Sequence, residues 1–352
     1  MKIVCVIGSI GVGGGAERVM SHLCNYLSER HEMVYIATDE YKGDKYYLNE
    51  KVKLYNGLNY NNQLHAIWVL RKTILYEKPD VVISFLTFIN LAVLIATAFT
   101  KIPVIVSERG NLKTRKKWRK YLRLLLYPFA SGVVFQTNEA RNHFKGKIFK
   151  NSIVIHNPVF VNASLSGSLS TQRKKEITTI GRFEFQKNHE MTIRAFSTIS
   201  PMFPDYKLMI YGGGVLENEI RELIDTLNMK DKIFLCGRIP EVHERIKDST
   251  LFVMSSRWEG MPNSLMEAMA LGLPCISTDC PVGGPKELIE DGVNGFLIPV
   301  EDQNALENKI IEALSNLDKI LIVGNNARKI LETHSINIIC AKWEKYILSK
   351  VK

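Results

Sequence analysis

Two glutamates, Glu259 and Glu267, are the residues most suited to chemistry in this chain. Seven residues separate them in the stretch RWEGMPNSLMEAMALGLP, Arg257 to Pro274. The apolar run LFVMSS before it reads as a strand, so Arg257 to Asn263 forms the loop at its C-terminal end. An amphipathic helix then begins. Pro262 suits its first turn, and Asn263 or Ser264 suits the capping region. Amides from Gly260 to Leu265 then gather at a helix N-terminus, where anions bind well. Carboxylates accept hydrogen bonds from vicinal hydroxyls, so two of them at different depths could each grip a diol. The amides between would hold phosphate oxygens. The plainer reading makes Glu259 a solvated loop residue and Glu267 a stabiliser of the helix dipole.

A second constellation precedes this one. GRFEFQKNHE follows the strand ITTI and supplies Gly181, Arg182 and Lys187. An arginine at a strand end and a lysine five residues on could converge on a diphosphate, one as a planar fork and one as a mobile point charge. A third is GSIGVGGGAER, Gly8 to Arg18, between the first strand and a helix. Gly11, Gly13 and Ala16 satisfy GxGxxG/A, and Asp39 follows the second strand. That pattern supports a rival reading as an NAD-dependent oxidoreductase. It leaves Arg182, Lys187 and the two glutamates without a task.

These residues need a scaffold. The chain has 352 residues, 46% of them hydrophobic, a length that suggests two domains. KIVCVIG, MVYIAT, VVISF, PVIVS, GVVFQT and SIVIHN alternate with helical patterns in the first half. ITTIGR, YKLMIYGGG, KIFLCGR, LFVMSS, PCISTD and GFLIPV do so in the second. The fold class is therefore α/β, with two Rossmann-like doubly wound domains. The Ser-rich stretch from Val159 to Glu176 reads as the linker. Ligands of such folds bind in a cleft at the C-terminal strand ends.

Six scattered cysteines lack metal spacing and read as buried free thiols of a reducing compartment. The N-terminus lacks a secretory pattern. Val81 to Thr100 is uncharged and long enough to span a bilayer, yet it reads as strand, loop and buried helix. Charge is uneven. Residues 1–160 carry 23 Lys and Arg against 11 Asp and Glu, a surplus of twelve within an overall +10. Seven of the eleven residues from Lys113 to Arg123 are basic. A solvated helix, an anionic membrane, phosphates or nucleic acid could account for them. No nucleic-acid motif accompanies them, and no nucleic-acid partner is expected. A glycosidase would also use paired carboxylates, but the repeated α/β halves and the phosphate-type cations speak against it.

The segment EGMPNSLME resembles the E-x7-E signature of the retaining, nucleotide-sugar-dependent glycosyltransferases of GT-B fold. GGAER, GRFEFQKNH, YGGG, FLCGR, GGPKELI and DGVNGFLIP are similar to family blocks in family order, so the resemblance covers nearly the whole chain. It implies an acceptor-side domain over residues 1–160, a donor domain over 161–335, and a last helix, about 336–352, that packs back on the first domain. Gly14, Gly15 and Gly181 would lie against the donor diphosphate. Arg182 and Lys187 would neutralise it. Glu259 would contact the donor sugar, and Gly260, Met261, Pro262, Asn263, Ser264 and Leu265 would bind sugar and phosphate oxygens. Glu267 would hold the ribose, and Gly237, Arg238 and Ile239 would line the base pocket. Arg182, Lys187 and Glu259 are then the catalytic set. Neither metal nor other cofactor is implied, and the donor, a substrate, is expected to be a UDP-sugar.

One departure stands out. Many members carry a His-Asp pair after the strand matching PVIVS, whereas this chain reads VSERGN. Glu108 and Arg109 would then take part in acceptor or donor binding, and with Asn111 they are expected at the acceptor. The variant resembles the subset that builds bacterial surface polysaccharides and lipid-linked oligosaccharides. Lys113, Arg115, Lys116, Lys117, Trp118, Arg119, Lys120 and Arg123 would then face an anionic membrane, with the enzyme peripheral on the cytoplasmic leaflet.

Overall fold

The computed structural model describes residues 1–11, 14–58, 60, 62–109, 117–161 and 173–351. The chain divides into two compact units, Met1–Pro158 with Ile336–Lys352, and Val159–Ser335.

The first unit holds a seven-stranded parallel sheet in the order β3-β2-β1-β4-β5-β6-β7. Its strands are β1 (Lys2–Ile7), β2 (Glu32–Ala37), β3 (Val52–Asn56), β4 (Val81–Phe85), β5 (Val104–Glu108), β6 (Gly132–Phe135) and β7 (Ser152–Val154). Helices α1 (Gly15–Leu27), α2 (Gln63–Glu77), α3 (Thr87–Ala96) and α4 (Lys117–Leu126) join them. The central strands are near-continuous apolar runs because helices cover both faces of a doubly wound sheet. β1, β4 and β5 are accordingly buried over most of their length. β3, absent from the sequence reading, is the edge strand, and its exposed Lys53 and Leu54 dilute the apolar signal. The Val81–Thr100 run resolves into β4 and the ten-residue α3. Among the described residues, no helix is long and apolar enough to cross a membrane.

The helix Ile336–Leu348 belongs to this unit. Its Trp343 is fully buried 5.5 Å from the Phe85 ring, and its Glu344 takes a two-pronged ion pair from Arg30.

The second unit repeats the plan with six parallel strands in the order β10-β9-β8-β11-β12-β13. They are β8 (Lys174–Ile180), β9 (Lys207–Tyr211), β10 (Ile233–Gly237), β11 (Ser249–Met254), β12 (Cys275–Thr278) and β13 (Phe296–Ile298). β8 begins at Lys174, so the segment read as linker to Glu176 ends earlier. Pairing of Lys174 with Ser249 outweighs the polarity of its first residues. Residues 162–172 of that segment lie outside the described residues. Each sheet has a switch in strand order, between β1 and β4 and between β8 and β11. Loops at the C-terminal strand ends splay apart there, which makes room for a ligand. All six cysteines are free thiols, five of them buried.

Candidate active site

Glu259 lies five residues beyond β11 and is only 6% exposed. Its backbone is clamped from both directions, its amide donating to Pro281 O at 2.7 Å and its carbonyl accepting from Val282 at 2.9 Å. Gly284 completes this close approach. A Cβ there would stand 1.7 Å from Gly260 O, so no larger residue fits. The carboxylate is then fixed by two donors. Lys187 Nζ reaches Glu259 Oε1 at 2.6 Å, and Ser256 Oγ donates to the same oxygen at 2.9 Å.

Lys187 arrives from the loop after β8. That loop is laced to the Glu259 loop by Gln186 Nε2 donating to Trp258 O at 2.9 Å and by the Arg257 amide donating to Gln186 O at 2.8 Å. Gly212 lets the β9 loop press against it, since a Cβ there would stand 1.9 Å from Gly181 O and the backbone adopts φ +151°. The Lys187–Glu259 pair is therefore a built feature of two joined loops. It carries charge in a largely desolvated place, where each partner depends on the other.

Glu267 lies in the second turn of the helix Asn263–Ala270 and is 5% exposed. Its Oε2 stands 3.0 Å from His243 Nε2, on the short helix Val242–Ile246. Asn263 and Ser264, read as capping candidates, are instead the first two helical residues. Pro262 occupies the cap position, and no side chain caps the helix. The amides of its first turn are thus left to other acceptors. Met261 and Leu265 are buried, whereas Gly260, Asn263 and Ser264 are partly exposed.

Lys187, Glu259 and Gly181 are brought together. A Cβ on Gly181 would lie 3.1 Å from the Lys187 stem. Arg182 is not drawn into this group. Its side chain is 55% exposed and pairs with Glu184 at 3.0 Å. Gly237 adopts φ +71° at the end of β10, with Arg238 exposed beside it and Ile239 partly buried. His243 and Ser256 were not legible as site residues, because neither sits in a recognisable spacing.

In the first unit, Gly14 and Gly15 form the cap and first residue of α1, and Gly14 O accepts from Tyr46 Oη at 3.2 Å. Glu108 departs from its expected acceptor role. It is 2% exposed and turned inward, accepting from Thr87 Oγ1 at 2.6 Å and Tyr127 Oη at 2.8 Å. Arg123 is likewise 1% exposed and lies 3.5 Å from Glu108, so it is an interior counter-ion and not a membrane-facing residue. A buried carboxylate requires such partners. Arg109 stacks 3.9 Å over the Phe85 ring and donates to Asn157 Oδ1 at 2.7 Å and Ser107 Oγ at 3.1 Å. Its Nη2 is buried and has no hydrogen-bond partner among the described residues. Burial pushes its pKa down to about 9. Trp118 and Lys120 are exposed, and Arg119 is partly buried against Phe88 and Trp118. Asn111, Lys113, Arg115, Lys116, the Lys117 side chain and Gly13 lie outside the described residues.

Two parallel doubly wound sheets, one carrying a lysine–glutamate couple and a second buried glutamate beyond its strand ends, define a GT-B protein. Residues 13–162 match the model of Glycosyltransferase Family 4, and residues 164–330 that of Glycosyl transferases group 1. The chain belongs to the GT-B glycosyltransferases built from these two domains. It is 29% identical over 363 residues to the GalNAc-alpha-(1->4)-GalNAc-alpha-(1->3)-diNAcBac-PP-undecaprenol alpha-1,4-N-acetyl-D-galactosaminyltransferase of Campylobacter jejuni, spanning 99% of this chain and 98% of that one. It is 33% identical over 155 residues to the UDP-Gal:alpha-D-GlcNAc-diphosphoundecaprenol alpha-1,3-galactosyltransferase of Escherichia coli, covering 43% of this chain and 39% of that one. The crystal structure of Anabaena Alr3699/HepE in complex with UDP shares the fold, with TM-score 0.81, 17% identity and coverage of 99% of this chain and 100% of that one. The oxidoreductase reading falls with this membership. Asp39, which it needed for a ribose, is exposed and accepts from Tyr60 Oη at 2.7 Å.

Proposed function

We propose that the protein is a retaining, metal-independent glycosyltransferase that moves a hexose or N-acetylhexosamine from a UDP-sugar to a lipid-linked or growing glycan in bacterial surface-polysaccharide assembly. The observation that carries this is the Lys187–Glu259 couple at 2.6 Å, beside an uncapped helix whose second turn bears Glu267. Cation, helix-start amides and two carboxylates match the parts of a nucleotide sugar: diphosphate, sugar diol and ribose diol. The diphosphoundecaprenol-linked substrates in the names of the Campylobacter and Escherichia relatives support the acceptor class. The UDP in the Anabaena complex supports the base.

The chemistry follows from charge. The bond between the anomeric carbon and the diphosphate oxygen breaks, leaving oxocarbenium character on the sugar. Negative charge builds on the phosphate, where Lys187, the amides of the helix start and a swung-in Arg182 stabilise it. The acceptor hydroxyl attacks from the face the diphosphate leaves, and its proton passes to the departing phosphate oxygen. Glu259 holds the sugar hydroxyls and keeps Lys187 in place. Gly14 and Gly15 approach the diphosphate, and Gly237, Arg238 and Ile239 receive the base. Arg109 offers its spare Nη2 to the acceptor, with Glu108 positioning the strand end behind it. These cations and amides supply what a metal would otherwise provide.

The membrane side of the proposal rests on α4. Trp118, Tyr121, Leu124, Leu125 and Phe129 are exposed along it and just after it, next to Lys120. Such a face suits the interfacial layer of an anionic cytoplasmic leaflet.

The test uses a UDP-sugar panel with a diphospholipid-linked glycan acceptor, read by NMR. A product with the donor's anomeric configuration, formed equally in excess chelator, supports the reading. An inverted product, or activity lost on chelation and restored by a divalent cation, contradicts it.

A further inference from the structure

The second unit carries a cavity that the donor reading does not use. It has a volume of about 370 Å³ and lies between the loop after β8 and the helices His189–Ile199 and Glu217–Thr226. Lys187, Glu259 and Glu267 do not line it.

Three observations bear on its occupant. Phe185 lies on its wall and is 60% exposed, two residues from the partly buried Lys187. One face of that ring is covered by the Arg257 guanidinium at 3.9 Å, and Arg257 is itself held by Glu301 and donates to Phe185 O at 2.6 Å. The ring is therefore braced as a platform, with Trp258 tilted beside it at 6.0 Å.

Second, the lining carries four carboxylates, Glu184, Glu190, Glu219 and Glu222, against two guanidiniums, Arg194 and Arg257. The balance is negative, which disfavours phosphates, nucleotides and anionic headgroups. Glu190 is satisfied by Arg194 at 2.9 Å, and Glu184 by Arg182 at 3.0 Å. Glu219 and Glu222 are exposed on one side of their helix.

Third, His189 lines the cavity at 3% exposure, and neither ring nitrogen completes a hydrogen bond of good geometry. Burial, with the charge of Lys187, lowers its pKa to about 4. The imidazole is thus a neutral ring in the cavity wall, with its nitrogens turned toward the Gly181 and Arg182 backbone.

An aromatic platform, acceptors for vicinal hydroxyls and a net negative field are the complement of an uncharged saccharide. We propose that this cavity is a second saccharide site, taking a neutral sugar unit of the glycan that the enzyme extends. Its two loops are those that carry Lys187 and Glu259, so occupancy would place glycan beside the reacting centre without entering the donor site. The inference rests on membership of the glycosyltransferases and not on the identity of the donor.

The experiment is binding of the labelled full-length protein to an array of printed neutral, amino and acidic glycans, with and without saturating UDP. Phe185→Ala and Glu222→Gln alter exposed side chains outside the catalytic set, and their melting temperatures verify folding. The expected result is binding to neutral glycans that UDP does not displace and that each variant weakens by about tenfold. Wild-type protein that binds no neutral glycan overturns the proposal. So does glycan binding that UDP abolishes, or that both variants retain in full. A separate UDP thermal shift distinguishes failure here from failure of the donor reading.

Discussion

Lys187 and Glu259 are each other's principal support, so their substitution has two separable effects. Lys187→Met should lower kcat by ~10²–10³, the scale of a lost oxyanion donor. It should also leave Glu259 buried with only Ser256 as partner, costing about 3 kcal/mol of stability. The double variant Lys187→Met/Glu259→Gln removes the unpaired charge. It should recover most of the melting temperature and none of the activity. Equal recovery of both would mean that the pair is structural only. The pairing was legible only in part. The spacing of Arg182, Lys187, Glu259 and Glu267 marked them for the site, but spacing does not say which cation faces which acid. The sequence reading set both cations on a diphosphate, whereas the free protein joins Lys187 to Glu259 and leaves Arg182 with Glu184. Ser256 and His243 escaped notice because their roles come from strand and helix ends that meet only in the fold.

At the scale of elements, hydrophobic runs identified twelve of the thirteen strands found among the described residues, because parallel strands buried on both faces are apolar throughout. β3 was missed as an edge strand, largely open to solvent after Val52. The basic stretch before and within α4 was read as one surface, but a helix has an inside. Arg123 falls on the buried side with Tyr127 and Glu108, while Trp118, Tyr121 and Leu125 fall outside. Charge composition cannot separate those faces, whereas helical periodicity does. Arg123→Leu should therefore destabilise the first unit by about 3 kcal/mol, since it strands the Glu108 carboxylate, and the companion change Glu108→Gln should restore much of that loss. Denaturant midpoints of the single and double variants measure it. His189, at the start of the helix His189–Ile199, predicts a pH effect. Its folded pKa is about 4, below the unfolded value, so the unfolded chain binds a proton first as pH falls. Its contribution to stability is intact above about pH 6.5 and is lost progressively as pH drops toward 4, on the order of 3 kcal/mol in all. His189→Asn should flatten that part of the stability–pH curve, and an unchanged slope would contradict the assignment.

For the whole molecule, the proposed membrane contact would give the uneven charge a physical use. The first unit carries the basic surplus and the exposed aromatic face of α4, so adsorption to anionic vesicles should combine both. Co-sedimentation should fall steeply between low and physiological salt, because exposed charges are screened beyond about 8 Å. Trp118→Ser with Leu125→Ser should release the protein even at low salt, and full retention by this double variant would place the membrane face elsewhere. The central claim concerns the donor. Its most direct measurement is a thermal-shift panel of UDP, GDP, ADP and NAD on the wild-type protein and on Glu267→Ala. A ligand at a hundred times its Kd should stabilise by ~2.7 kcal/mol. The account predicts a shift with UDP alone, lost in Glu267→Ala because the ribose loses its carboxylate. A shift with NAD and none with the nucleoside diphosphates, or a UDP shift untouched by the substitution, would contradict it.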